Sequence, residues 1–113
     1  MAVTLLLGAT EYPLEVADAR WLESTIRTAC VDAAGRAWDR EARAALQVAD
    51  VIAEDVGRGH SSEPMELSYS AVLGLLYHAL LDKDVADVRA HVARSDGVAA
   101  LYLGLRRFAR EAA

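Results

Sequence analysis

LLLGATEYPLEVADARWLESTI, residues 5–26, decides how this chain folds: an apolar run stops at a glycine, resumes around a proline, and then changes period. VTLLL at 3–7 is short, contains no breaker and ends at Gly8, a residue that readily takes the positive φ of a tight hairpin turn. It reads as a strand, and Glu11 to Leu14 reads as its antiparallel partner. Pro13 has no N–H to give to a ladder, so that partner belongs at a sheet edge. Beyond Leu14 the spacing turns helical. Ala19, Leu22, Ile26, Ala29 and Ala33 fall in one stripe, while Arg20, Glu23 and Arg27 point elsewhere, with Glu23 and Arg27 a favourable i, i+4 pair.

The same transition recurs at EPMELSYSAVLGLLYHALL, residues 63–81. Pro64 to Leu67 reads as a short strand, and Ser68 is a good N-cap for the helix that follows. Setting Leu14 against Leu67 aligns Tyr12 with Met65 and Leu22 with Leu75, which fits either an old duplication or two junctions using the same chemistry. Three short strands are enough for a small sheet, where a lone hairpin in water is not.

Between the junctions runs an amphipathic helix with Trp38, Ala45, Ala49, Ile52 and Val56 on its apolar side and Arg43, Gln47, Asp50 and Glu54 opposite. Joined to the helix from residue 17, it would span roughly 60 Å, so a break is expected at 32–36, DAAGR. GRGHSSEP at 57–64 reads as a loop. In the last third, Val85, Val88 and Val92 mark one helix, and Val98, Leu101, Tyr102, Leu105 and Phe108 another, with Ser95-Asp96-Gly97 as the turn between them. The fold class is α+β, helix-dominated: an N-terminal β-hairpin plus a third short strand packed against about five helices, in a single domain over residues 1–113.

Composition narrows the functional classes. Twenty-three alanines favour helix, and one lysine against eleven arginines, with no asparagine, fits a GC-rich bacterial genome. The N-terminus has neither a basic n-region nor a run long enough for a signal peptide or a spanning helix, so a cytoplasmic protein with no membrane association is expected. Cys30 is the only cysteine, which rules out an internal disulfide and reads as a small buried hydrophobe. A net charge of −5 disfavours broad attraction to nucleic acid. The charge is unevenly spread. Residues 1–82 hold six arginines against thirteen carboxylates (−7), whereas 83–113 hold six cations against four carboxylates (+2).

No stretch carries a catalytic, cofactor-binding or metal-binding motif. His60, His78 and His91 lack zinc-ligand spacing, and His60-Ser61-Ser62-Glu63 are chain neighbours whose side chains cannot assemble a triad. His91 follows Asp87 by four residues and reads as an exposed ion pair. His78 shares the back of its helix with Ala71 and Leu75, opposite Tyr69, Leu73, Leu76, Tyr77 and Leu80. A helix apolar on nearly all sides is either central in the core or at a subunit interface.

Three functional readings follow. The first is a non-catalytic interaction or accessory module, a homo-oligomer or a binder of another protein, self-associating through the helix at 70–81 with Trp21, Ala71, Leu75 and His78 in the contact. The second is a DNA-binding regulator using a helix-turn-helix at 85–108, with Arg106, Arg107 and Arg110 on phosphates; Val98-Ala99-Ala100-Leu101 has nothing to read base edges. The third is a small-molecule-binding protein or small enzyme with a pocket between sheet and helices, bordered by Tyr12, His78 or Tyr102.

Overall fold

Alternation along the first strand buries Val3, Leu5 and Leu7 and leaves Ala2, Thr4 and Leu6 half-buried, so one face of the sheet meets the helices. This strand is β1 (Ala2–Leu7) of a computed structural model that describes residues 2–33, 39–59, 63–81 and 85–112. Gly8, at φ 64°, opens the two-residue turn into β2 (Thr10–Glu15), whose antiparallel register runs from Leu7↔Thr10 to Ala2↔Glu15. The third strand, β3 (Met65–Glu66), is shorter than Pro64 to Leu67 and pairs in parallel with β1 at Leu5↔Met65. The strand order β2-β1-β3 places Pro13 on an edge strand, as its missing N–H requires. A Cβ at Gly97 would come within 3.0 Å of the Pro13 carbonyl oxygen, so the last helix also covers that edge.

Helix α1 (Val16–Ala33) buries Ala19, Leu22, Ile26, Ala29 and Cys30, and helix α2 (Asp39–Arg58) buries Ala42, Ala45, Val48, Ala49 and Ile52. Arg27 of α1 reaches Asp50 of α2 at 2.9 Å. In one continuous helix those residues would stand about 35 Å apart, so the two helices are separate and folded back on each other. Their junction at 34–38, with Trp38, lies outside the described residues. The inner side of α2 ends on Asp55, not Val56 as its spacing predicts; the Asp55 carboxylate, 3% exposed, pairs with Arg58. Gly59 then takes φ 83° and donates its N–H to the Val56 carbonyl at 3.1 Å, closing the helix.

The two bonds from Arg27, to Glu23 at 2.8 Å and to Asp50, raise its pKa further, chiefly through the Glu23 hydrogen bond. Arg27 is substantially exposed, so Arg27→Ala is expected to cost no more than about 1 kcal/mol in urea unfolding, a difference that shrinks in high salt.

Ser68 caps the next helix, its hydroxyl accepting the Ala71 N–H at 3.1 Å. Helix α3 (Tyr69–Leu73) is a short α-helical stretch that widens at once into a π-helical segment, Gly74–Leu81. The sequence carries no signal for this widening. Gly74 lies where α2 crosses: a Cβ there would sit 2.9 Å from the Ala45 Cβ and collide with the Glu41 carbonyl. Helices α4 (Val85–Arg94) and α5 (Asp96–Ala112) complete the chain. One contiguous apolar cluster runs from Val3 to Ala109, and the radius of gyration of 12.7 Å matches a compact chain of this length, about 13 Å. The result is a helix-dominated α+β fold with five helices and a three-stranded sheet.

Candidate functional site

The helix at 69–81 presents the opposite side from the one its spacing predicts. Ala71, Leu75 and His78, expected at an interface, are 3%, 0% and 1% exposed and enclosed by this chain's own elements. Tyr69 and Tyr77, expected inside, are 42% and 41% exposed. Exposed or half-buried side chains recur at Tyr69, Leu73, Tyr77 and Leu81. In a regular α-helix that row would drift about 120° around the axis, whereas here the α-helical first step is followed by wider π turns that drift the opposite way for residues four apart, so the row stays on one side. The helix is therefore central, with one aromatic-aliphatic row at the surface.

Beside this row runs α5. Its inner side buries Val98, Leu101, Leu105 and Ala109, and its outer side carries Leu103, 61% exposed, with Arg106, Arg107 and Arg110. Leu76, Tyr77 and Leu81 of the π segment and Arg106, Ala109 and Arg110 of α5 line an open groove of about 290 Å3. Arg106 is held in place along its own helix: its NH1 donates to the Tyr102 hydroxyl at 3.2 Å, and its guanidinium carbon lies 5.7 Å from the centre of the Tyr102 ring.

A second polar cluster joins α1 to the α4–α5 junction. Trp21, expected in a contact with another chain, is half-buried against α4: its indole N–H donates to Asp87 Oδ2 at 2.7 Å, and its ring stacks on His91, with centroids 4.0 Å apart and planes 12° from parallel. His91 Nδ1 lies 3.0 Å from the Asp87 carbonyl oxygen and 3.4 Å from Asp87 Oδ1, while Nε2 faces Arg94 NH2 at 3.0 Å. A carbonyl only accepts and a guanidinium only donates, so the network assigns the N–H to Nδ1. Asp87, His91 and Ser95 follow one another at steps of four, an acid, a base and a nucleophile in order. Their geometry does not make a triad. The Ser95 hydroxyl donates to Asp18 Oδ2 at 2.8 Å and accepts the Val98 N–H at 3.2 Å, so it engages α1 and the start of α5 instead of the imidazole.

Ser95 is also the whole connection between α4 and α5. Its N–H bonds to the His91 carbonyl at 3.0 Å and its carbonyl accepts the Ala99 N–H at 2.9 Å. The expected Ser-Asp-Gly turn is thus a single residue, and Val98 and Leu101 at the start of the presumed recognition helix are buried against the core. The exposed side of that helix end carries Asp96 and Ala100, neither of which offers a cation to phosphate. Because Ser95 caps α5 and ties it to α1, Ser95→Ala is expected to cost about 1–2 kcal/mol, measured as a lower urea midpoint at unchanged slope.

Where Tyr102 meets the sheet and helices, the described residues leave little room. The space bounded by Leu14, Trp21, Leu80, Leu101 and Tyr102 holds only about 10 Å3, and its lining is almost wholly apolar. A concavity of about 1070 Å3 is an open surface trough along β2 and the α4–α5 junction, where Tyr12 contributes to the wall but His78 and Tyr102 do not. The Cys30 thiol, 1% exposed, has its pKa pushed up by burial. Native protein is expected to resist a thiol-specific disulfide reagent and to react stoichiometrically once unfolded. His60, Ser61 and Ser62 lie outside the described residues, and among the described residues no cluster of three or more His, Cys, Asp or Glu side chains could hold a metal ion. No helix among the described residues is long and apolar enough to cross a membrane.

Compared with known proteins, the chain matches no protein family, no curated protein and no solved structure.

Proposed function

We propose that this protein is a non-catalytic interaction module that binds another protein through the surface formed by Tyr69, Leu73, Tyr77 and Leu81 together with the outer side of α5. The observation that carries this reading is the exposure of two tyrosines, at 42% and 41%, one of them lining a groove rimmed by Arg106 and Arg110. Tyrosine and arginine are the residue types that concentrate binding energy at protein interfaces, because both bring a large apolar body and a directional polar end. The π-helical segment adds support, since such widened turns occur most often at functional positions and here it keeps the row of side chains on one side. Ala71, Leu75 and His78 have no exposed side to offer, so the helix at 69–81 reaches any second copy of the chain only through this surface.

The test is site-specific photo-cross-linking in the native host, with a photoactivatable phenylalanine analogue at position 77 or at position 31, which Val31 leaves 70% exposed elsewhere on the surface. The expected result is one discrete protein adduct from position 77 and none from position 31. That adduct should disappear when Arg106 and Arg110 are both replaced by glutamate. Equal labelling from both positions, or none from position 77, overturns the reading.

A further inference from the structure

We infer that the partner segment seated between the π segment and α5 is an acidic amphipathic helix. The inference rests on the docking surface proposed above and adds the chemistry of what occupies it.

Two features of the groove select that occupant. Its walls are both helical, built from the side chains of Leu76, Tyr77 and Leu81 on one side and Arg106, Ala109 and Arg110 on the other. Helix backbones satisfy their own hydrogen bonds, so these walls offer no unpaired N–H or C=O row to an extended peptide. A segment entering here is best served by a backbone already satisfied, which an α-helix has, and by apolar side chains set against the Tyr77 ring and the half-buried Leu81.

The rim supplies the second feature. Arg106 and Arg110 are both exposed, as is Arg107 next to them on α5, and among the described residues no ion pair joins these three to a carboxylate, whereas Arg27, Arg43 and Arg58 are each paired to one. Arg106 is already oriented by Tyr102, so less side-chain freedom is lost when it forms a bidentate bond to a carboxylate. These cations belong to the one third of the chain with a positive balance, +2 against −7 for the remainder. A basic segment would meet repulsion at the rim. A partner with carboxylates flanking an apolar stripe satisfies both floor and rim.

The experiment titrates the full-length, isotope-labelled protein with three helical peptides that share one leucine- and tryptophan-bearing face and carry glutamate, glutamine or lysine elsewhere, followed by NMR. The acidic peptide is expected to shift the resonances of Tyr69, Leu73, Tyr77, Leu81, Arg106 and Arg110 and to bind at least about tenfold more tightly than the glutamine peptide. Arg106→Glu/Arg110→Glu should transfer that preference to the lysine peptide. Equal affinity for the acidic and glutamine peptides at these residues overturns the acidic partner but leaves the docking surface standing. No shifts at these residues with any peptide overturns both. Salt-sensitive binding of a 20-base-pair duplex there, or concentration-dependent shifts there without peptide, assigns the surface to nucleic acid or to a second copy and likewise overturns the inference. Tyr77→Ala, on the surface and expected to keep the thermal midpoint within a few degrees, should weaken the acidic peptide by about tenfold or more.

Discussion

Replacing Gly74 with alanine is expected to lower the thermal unfolding midpoint by roughly 10 °C or more, a large effect for the addition of one methyl group. A Cβ at position 74 would lie 2.9 Å from the Ala45 Cβ and would overlap the Glu41 backbone carbonyl. Backbone atoms cannot rotate away as a side chain can. The π segment must move off α2, which separates Ala42 and Ala45 from Ala71, Val72 and Leu75 in the middle of the core. Overpacking of this kind costs about 3 kcal/mol, and both helices are held by too many other contacts for the shift to be cheap. Gly104 is the control. A Cβ there would overlap the Tyr12 hydroxyl and Cζ, but these are the far end of a side chain at the sheet edge that can swing away where a backbone carbonyl cannot, so Gly104→Ala is expected to cost clearly less. Differential scanning calorimetry of the two variants checks the order; a Gly104→Ala midpoint below that of Gly74→Ala would refute the account of the α2 crossing.

Leu75 is the second position with a large expected effect, and its variants separate a core helix from an interface helix. The side chain has no exposed surface, and its helix is surrounded by α1, α2 and α5 of the same chain. Leu75→Ala removes three buried carbons and is expected to destabilise the protein by about 3 kcal/mol. Leu75→Glu is expected to abolish cooperative unfolding, because a carboxylate there has neither water nor a cation to meet it and the unfolded state hydrates it freely. Were the 70–81 helix an interface, Leu75→Glu would instead yield a well-folded monomer. Circular dichroism with sedimentation velocity distinguishes these outcomes. A folded, monomeric Leu75→Glu protein derived from a dimeric parent would refute the placement of Leu75 in the core.

The same helix shows how far residue patterns reach. A side chain that is apolar on every face of a helix says only that the helix is enclosed, and enclosure by the same chain or by another copy looks identical in sequence. The spacing rule also assumes 3.6 residues per turn, which the π segment Gly74–Leu81 does not keep, so the positions of Leu75, Tyr77 and His78 around the axis could not be read from it. The packing of Trp21 on α4 was illegible for a different reason. Its partners, Asp87 and His91, are 66 and 70 residues away, and no local pattern reports a contact made by helix packing. The candidate surface was legible only in part: the positive balance of the C-terminal third and the position of Arg106, Arg107 and Arg110 outside the apolar stripe could be read directly, but not the tyrosines beside them.

Local chemistry decided the rest without help. Gly8 closes a hairpin because the turn needs a positive φ, Pro13 sits at an edge because it lacks a ladder donor, and Ser68 starts a helix because its hydroxyl caps a free N–H. These are constraints within a few bonds of one residue, so the residue alone carries them. Which face of the 69–81 helix is buried, and that α4 meets α5 through Ser95 alone, depend on how whole elements fit one another. Close packing settles such matters by volume and by the satisfaction of distant polar groups, both of which exist only once the chain has come together.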